Sequence, residues 1–140
     1  MFGLWWSQRS GRFNRSAGPE GSFTDPPEPL GERATLVQFS SAFCAPCRAT
    51  RQLLGQVAGM IEGVTYIEVD AESNLDLVRR LHVNRTPTVL VLSGSGRIVS
   101  RAVGLPRKQD VIAAIGQTPD TAHPKNGTPS RDSRRSSDTV

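Results

Sequence analysis

Thr35-Leu-Val-Gln-Phe-Ser-Ser-Ala-Phe43-Cys44-Ala45-Pro46-Cys47 carries the chain's only two cysteines, two residues apart at the end of an apolar run. Thr35 to Ser40 is rich in strand formers. From Arg48 to Ile61, the residues Leu53, Leu54, Val57, Ala58 and Ile61 recur at the spacing of one helix face. The cysteines therefore stand where a buried strand passes into a helix N-terminus. The first turn of a helix has free N–H groups and a partial positive charge, and both favour thiolate over thiol. Cysteines in such CxxC pairs have pKa values of roughly 3.5 to 7.5, against about 8.5 for a free one.

The spacing gives the two sulfurs unequal parts. Cys44, at or before the first turn and toward solvent, suits the attack on a disulfide. Cys47, three residues into the helix and shielded, suits the resolving step that breaks the resulting mixed disulfide. Pro46 falls at an early helical position, where its missing N–H costs nothing and its fixed φ stiffens the turn. Two other chemistries compete with exchange. Zinc takes about four ligands, and this chain has no second CxxC, with His82 and His123 at unrelated positions. A static disulfide across three residues closes almost no loop and adds little stability. Redox exchange is the stronger reading.

Outward from the pair, Gly63 ends the helix and Val64-Thr-Tyr-Ile-Glu-Val-Asp70 reads as a second strand. Ser73 or Asn74 caps a short helix whose buried face is expected to be Leu75, Val78 and Leu81, with Arg79 and Arg80 suiting its C-terminal end. Thr86-Pro87-Thr88 leads into Val89-Leu-Val-Leu92; Gly94-Ser-Gly96 turns the chain, and Arg97 to Val103 returns as the partner strand. Pro106 opens a last helix, Arg107 to Ile115, with Val111, Ile112 and Ile115 expected inside. Two strands joined by a helix pair in parallel, and the hairpin pairs antiparallel. The fold class is α/β: a minimal four-stranded mixed sheet with helices on both faces.

The ends differ from this core. Residues 1–31 are dense in Gly and Pro, and residues 117–140 hold eleven Ser, Thr and Pro. Both read as disordered, which leaves 32–116 as the domain. Basic residues exceed acidic ones by none in 1–31, three in 32–116 and one in the tail. No basic cluster interleaved with aromatics exists, so nucleic-acid binding is not indicated. Met1-Phe-Gly-Leu-Trp-Trp6 is too short to span a bilayer or form a signal-peptide core. The expectation is a cytoplasmic protein, where a CxxC is catalytic more often than structural. The alternative is a membrane-anchored or exported relative whose true start lies upstream, Met1 to Trp6 then ending a membrane helix ahead of Arg9, Arg12 and Arg15.

A CxxC at a strand–helix junction, Thr86-Pro87-Thr88 some forty residues later and Val103-Gly104 after the hairpin together resemble the thioredoxin superfamily over residues 32–116. The resemblance implies a thioredoxin-like fold and a cis Thr86–Pro87 bond lying against the cysteines. It also implies a substrate groove formed by Phe43, Ala45, Pro46, Thr86, Pro87 and Gly104. Departures from the family pattern are Phe43 and Ser40 in place of two Trp, Gln38 in place of a buried Asp, Tyr66 in place of its Lys partner, and Gln52 in place of a helix-kinking Pro. A neutral amide cannot act as a base, so Cys47 is expected to lose its proton through water. The strand and helix that usually precede the CxxC strand are not evident, with Phe23 their one remnant, and the extent is closer to a glutaredoxin. No glutathione-binding signature stands out.

Ala-Pro between the cysteines is close to the Gly-Pro of reducing members. The resemblance therefore implies a protein thiol–disulfide oxidoreductase, acting through Cys44 and Cys47 as a reductase. No cofactor or metal is called for. Its partners are disulfide-containing proteins and a thioredoxin reductase as electron donor, and a monomer is expected. A thioredoxin-fold binding module with little turnover is the alternative from another class.

Overall fold

The computed structural model describes residues 12–15, 23 and 26–118. In chain order its elements are β1 (Asn14–Arg15), β2 (Ala34–Ser40), α1 (Ala45–Met60), β3 (Val64–Asp70), α2 (Leu75–Arg80), β4 (Thr88–Ser93), β5 (Ile98–Val103) and α3 (Lys108–Gly116). The sheet runs β1-β5-β4-β2-β3. β2 pairs parallel with β3, as a strand–helix–strand connection requires, and every other pairing is antiparallel. The four-stranded mixed sheet expected from β2 to β5 is present, and β1 adds a two-residue strand at its edge. Helix α1 starts three residues earlier than its apolar spacing indicates, because Cys44 and Pro46 build a first turn without apolar side chains.

Alternation along the strands splits the core between two faces. Ala34, Leu36, Val64, Val89 and Val91 meet Leu54 and Val57 of α1 and Val111, Ala114 and Ile115 of α3. Val37, Phe39, Ile67, Val69, Leu90 and Leu92 meet Leu81, Val83, Leu77 and Val78 around α2 on the other side, together with Phe23 and Leu30. β2 and β4, paired at the centre, are buried along their whole length.

Two helix faces differ from expectation. Leu75 opens the six-residue α2 and is 55% exposed, so the inner face is Leu77, Val78 and Leu81. Ile112 lies one helical step off the inner face of α3, is exposed, and leaves its expected place to Ala114. The carbonyls of Leu81 and His82 beyond α2 are met from β5, where the Arg101 guanidinium donates to both.

The N-terminal segment touches the core at defined points. Asn14 and Arg15 pair with Arg101 and Ser100, and the Phe23 amide donates to the Gly96 carbonyl of the hairpin turn at 2.9 Å. The reading of 1–31 and 117–140 as disordered falls mostly outside the described residues. Among those residues, no helix is long and apolar enough to cross a membrane.

Gly31 is the tightest joint ahead of β2. Its amide donates to Thr35 Oγ1 at 2.8 Å, and a Cβ there would be driven into the carbonyl oxygens of Ala34 and Gly63. Those atoms are backbone and cannot swing aside. Gly31→Ala is expected to destabilise the fold by about 3 kcal/mol, the upper end of overpacking costs. A denaturant midpoint unchanged from the parent chain would refute this.

Candidate active site

β2, β4 and β5 share one register row, Phe39 opposite Thr88 and Thr88 opposite Val103. The segment leaving β2 carries the cysteines, the segment entering β4 carries Thr86–Pro87, and the segment leaving β5 carries Gly104. All three therefore emerge side by side at one edge of the sheet. Two hydrogen bonds tie them together. Ser41 Oγ and Thr86 Oγ1 lie 2.9 Å apart, and the Gly104 amide donates to the Pro87 carbonyl at 2.8 Å. The Thr86–Pro87 bond is cis, as the sequence resemblance implied. Gly104 has φ of +90°, a left-handed conformation that glycine adopts without steric cost.

Cys44 is the N-cap of α1, with extended backbone angles, and Pro46 sits in the first turn. The two cysteines form a disulfide with Cα atoms 5.2 Å apart. The Cys47 amide is shared between Cys44 Sγ and the Cys44 carbonyl, each at 3.2 Å, so an N–H of the helix start faces the first sulfur. Exposure is unequal: Cys44 is partly open, whereas Cys47 is 1% exposed. Ala45 and Pro46 lie at the surface, and Phe43 projects fully into solvent. Val103 and Leu105, on either side of Gly104, add further exposed apolar surface.

Beneath the first turns of α1 the sheet face turns polar. Gln38 is fully buried in β2, and its Nε2 donates to the Cys47 carbonyl at 2.8 Å. The Tyr66 hydroxyl donates to Gln38 Oε1 at 2.8 Å and lies 3.4 Å from Glu68 Oε2. Glu68 accepts from Ser40 Oγ at 2.8 Å and from Arg51 at 2.7 and 2.6 Å. The Arg51 hydrogen bonds hold the Glu68 carboxyl below its ordinary range, against a smaller opposing effect of burial. Burial, with the Glu68 charge second, pushes the Tyr66 phenol well above its usual range, so Tyr66 stays a donor.

The three segments that carry the eight residues singled out from the sequence thus leave the sheet side by side. Ser41, Arg51 and Glu68 were not among them. Period-two alternation puts Tyr66 and Glu68 on one face of β3, but the reach of Arg51 across from α1 has no local signal.

Residues 29–117 match the family model Thioredoxin. The chain belongs to the thioredoxin family. It is 32% identical over 82 residues to a thioredoxin of Chlamydia trachomatis, covering 59% of this chain and 79% of that one. Against thioredoxin H2-1 of rice the identity is 29%, over 51% of each chain. Among solved structures, a thioredoxin variant of Halobacterium salinarum superposes with a TM-score of 0.56 at 21% identity, covering 60% of this chain and 73% of that one. Mitochondrial thioredoxin 3 of Saccharomyces cerevisiae gives 0.54 at 16% identity, over 61% and 78%. At those identities the structures speak for the fold. The family, together with a bonded cysteine pair, supports thiol–disulfide oxidoreductase chemistry at the family level.

Proposed function

We propose that this thioredoxin-family chain reduces disulfides in other proteins. The observation that carries the reading is a disulfide between a partly open N-cap cysteine and a buried partner three residues on. In the reduced protein, Cys44 thiolate attacks one sulfur of the substrate disulfide. The substrate S–S bond breaks, a mixed disulfide forms, and the first substrate thiolate leaves and takes a proton. Cys47 then loses its proton and attacks Cys44 Sγ. The Cys44–Cys47 bond forms and the second substrate thiolate departs. Two electrons have passed from the cysteine pair to the substrate.

Phe43, Ala45 and Pro46 supply the apolar floor for the incoming segment, and Thr86, Pro87 and Gly104 flank it. A dithiol donor of the thioredoxin reductase kind returns the pair to the reduced state. A reducing compartment, the cytoplasm, suits this direction of exchange, and the chain works as a monomer.

Reduced, desalted protein mixed with insulin tests the reading. Each chain is expected to remove close to one substrate disulfide and to end with Cys44 and Cys47 bonded, whereas Cys44→Ser removes none. Reduction of nothing by the parent chain would leave a binding module. Equilibration of the pair against dithiothreitol and glutathione then gives its direction. A reductase lies below about −220 mV and an oxidant near −120 mV.

A further inference from the structure

The Gln38 amide has two ends, and the structure assigns each a partner. The NH2 end is turned to the Cys47 carbonyl and the oxygen to the Tyr66 hydroxyl, both at 2.8 Å. Resting on the oxidoreductase reading, we infer that Gln38 and Tyr66 are positioning residues that tether the turn of Cys47 without offering it a base. The resolving cysteine therefore gives its proton to solvent.

The surroundings of the amide support this assignment. Gln38 is wholly buried, so its orientation is decided by these two contacts and not by water. Tyr66 carries a single proton and is kept protonated by burial and by Glu68, so it donates at every working pH and holds the amide oxygen to itself. Glu68 is held in turn by Ser40 and by both nitrogens of Arg51. Val89, the β4 register partner of Gln38, is apolar, and α3 turns Val111, Ala114 and Ile115 to this face of the core, with the half-buried Asp110 in its first turn. In the hydrogen-bonded chain that leads from Cys47 through Gln38 and Tyr66, the carboxylate is Glu68, separated from the cysteine turn by two side chains and paired with Arg51. An amide is too weak a base to take a thiol proton.

The consequence lies in the second half of the exchange. With no internal acceptor, the resolving rate follows the fraction of Cys47 present as thiolate and rises about tenfold per pH unit below the thiol pKa. Reduced protein mixed with 5,5′-dithiobis(2-nitrobenzoate) separates the two halves. One thionitrobenzoate is released when Cys44 forms the mixed disulfide, and a second when Cys47 resolves it.

The second release is expected to show that full pH dependence in the parent chain. Gln38→Leu and Tyr66→Phe are expected to change its rate but keep its slope, since neither adds or removes a base. Gln38→Asp introduces a carboxylate and is expected to raise the rate at about pH 6 by at least about tenfold and to flatten the profile. A flat profile in the parent chain, or a slope altered by Gln38→Leu, would overturn the inference, as would Gln38→Asp leaving the profile unchanged. The parent profile decides even where a variant does not fold. Absence of any second release at all sinks the oxidoreductase reading instead.

Discussion

A Cys47→Ser variant, reduced and mixed with a disulfide-bearing protein, is expected to accumulate as a covalent adduct that dithiothreitol dissolves. Cys44 is partly open and caps α1, so it reaches a disulfide on another molecule. Cys47 is 1% exposed and lies against the buried Gln38, where no external disulfide reaches it. In the parent chain its sulfur is held beside the mixed disulfide, and such intramolecular reactions proceed with effective molarities of about 10^5 to 10^8 M. A serine hydroxyl does not displace a thiolate from sulfur. The adduct lifetime should therefore lengthen by more than about 10^3, with turnover falling in proportion. Non-reducing electrophoresis of the three proteins checks the assignment. Adducts from Cys47→Ser and none from Cys44→Ser are expected. Adducts from Cys44→Ser alone would reverse the two roles.

The part of this site that was legible in the sequence is the part written in neighbouring residues. A strand-forming run, two cysteines and a helical spacing succeed one another within Thr35 to Ile61, and each states its own conformation. Thr86–Pro87 and Gly104 were legible through family resemblance, since nothing local says that a proline at a strand entry leaves the sheet beside the segment that carries the cysteines. The polar chain beneath α1 was half legible. Gln38 and Tyr66 stood out as departures, yet their meaning lies in the pairing of β2 with β3 and in Arg51 crossing from α1 to Glu68. Leu75 and Ile112 misled for a related reason. In a six- or nine-residue helix an apolar side chain one step off the stripe, or at the very start, has no sheet opposite it. Arg79 and Arg80 stand in the last turn of α2, as their charge suggested, whereas Arg101 meets the carbonyls beyond that helix from about twenty residues away and had no local signal.

Phe23→Ala is expected to cost about 3 to 5 kcal/mol of stability, a large share of the roughly 5 to 15 kcal/mol by which a domain is stable. Phe23 lies in a stretch of Gly, Pro and Ser with no apolar periodicity, and for that reason reads as part of a loose leader. The ring is nonetheless 4% exposed and belongs to the cluster of Val37, Phe39, Leu90 and Leu92, on the sheet face opposite α1. α2 has only six residues and turns Leu77, Val78 and Leu81 inward, so it covers little of that face alone. Phe23 and Leu30 cover more of it, with Val83 and Ile98, and the Phe23 amide on Gly96 fixes where the ring enters. That backbone bond survives in the alanine variant, so the loss reads out the ring and the cavity it leaves. Denaturant unfolding monitored by circular dichroism measures it, with Phe23→Leu expected to recover most of the difference. A shift below about 1 kcal/mol for Phe23→Ala would mean that the cluster closes without the ring. The domain would then begin at Leu30 and Gly31. A shift of the expected size extends it to Phe23, whose ring joins that of Phe39 in filling the second core.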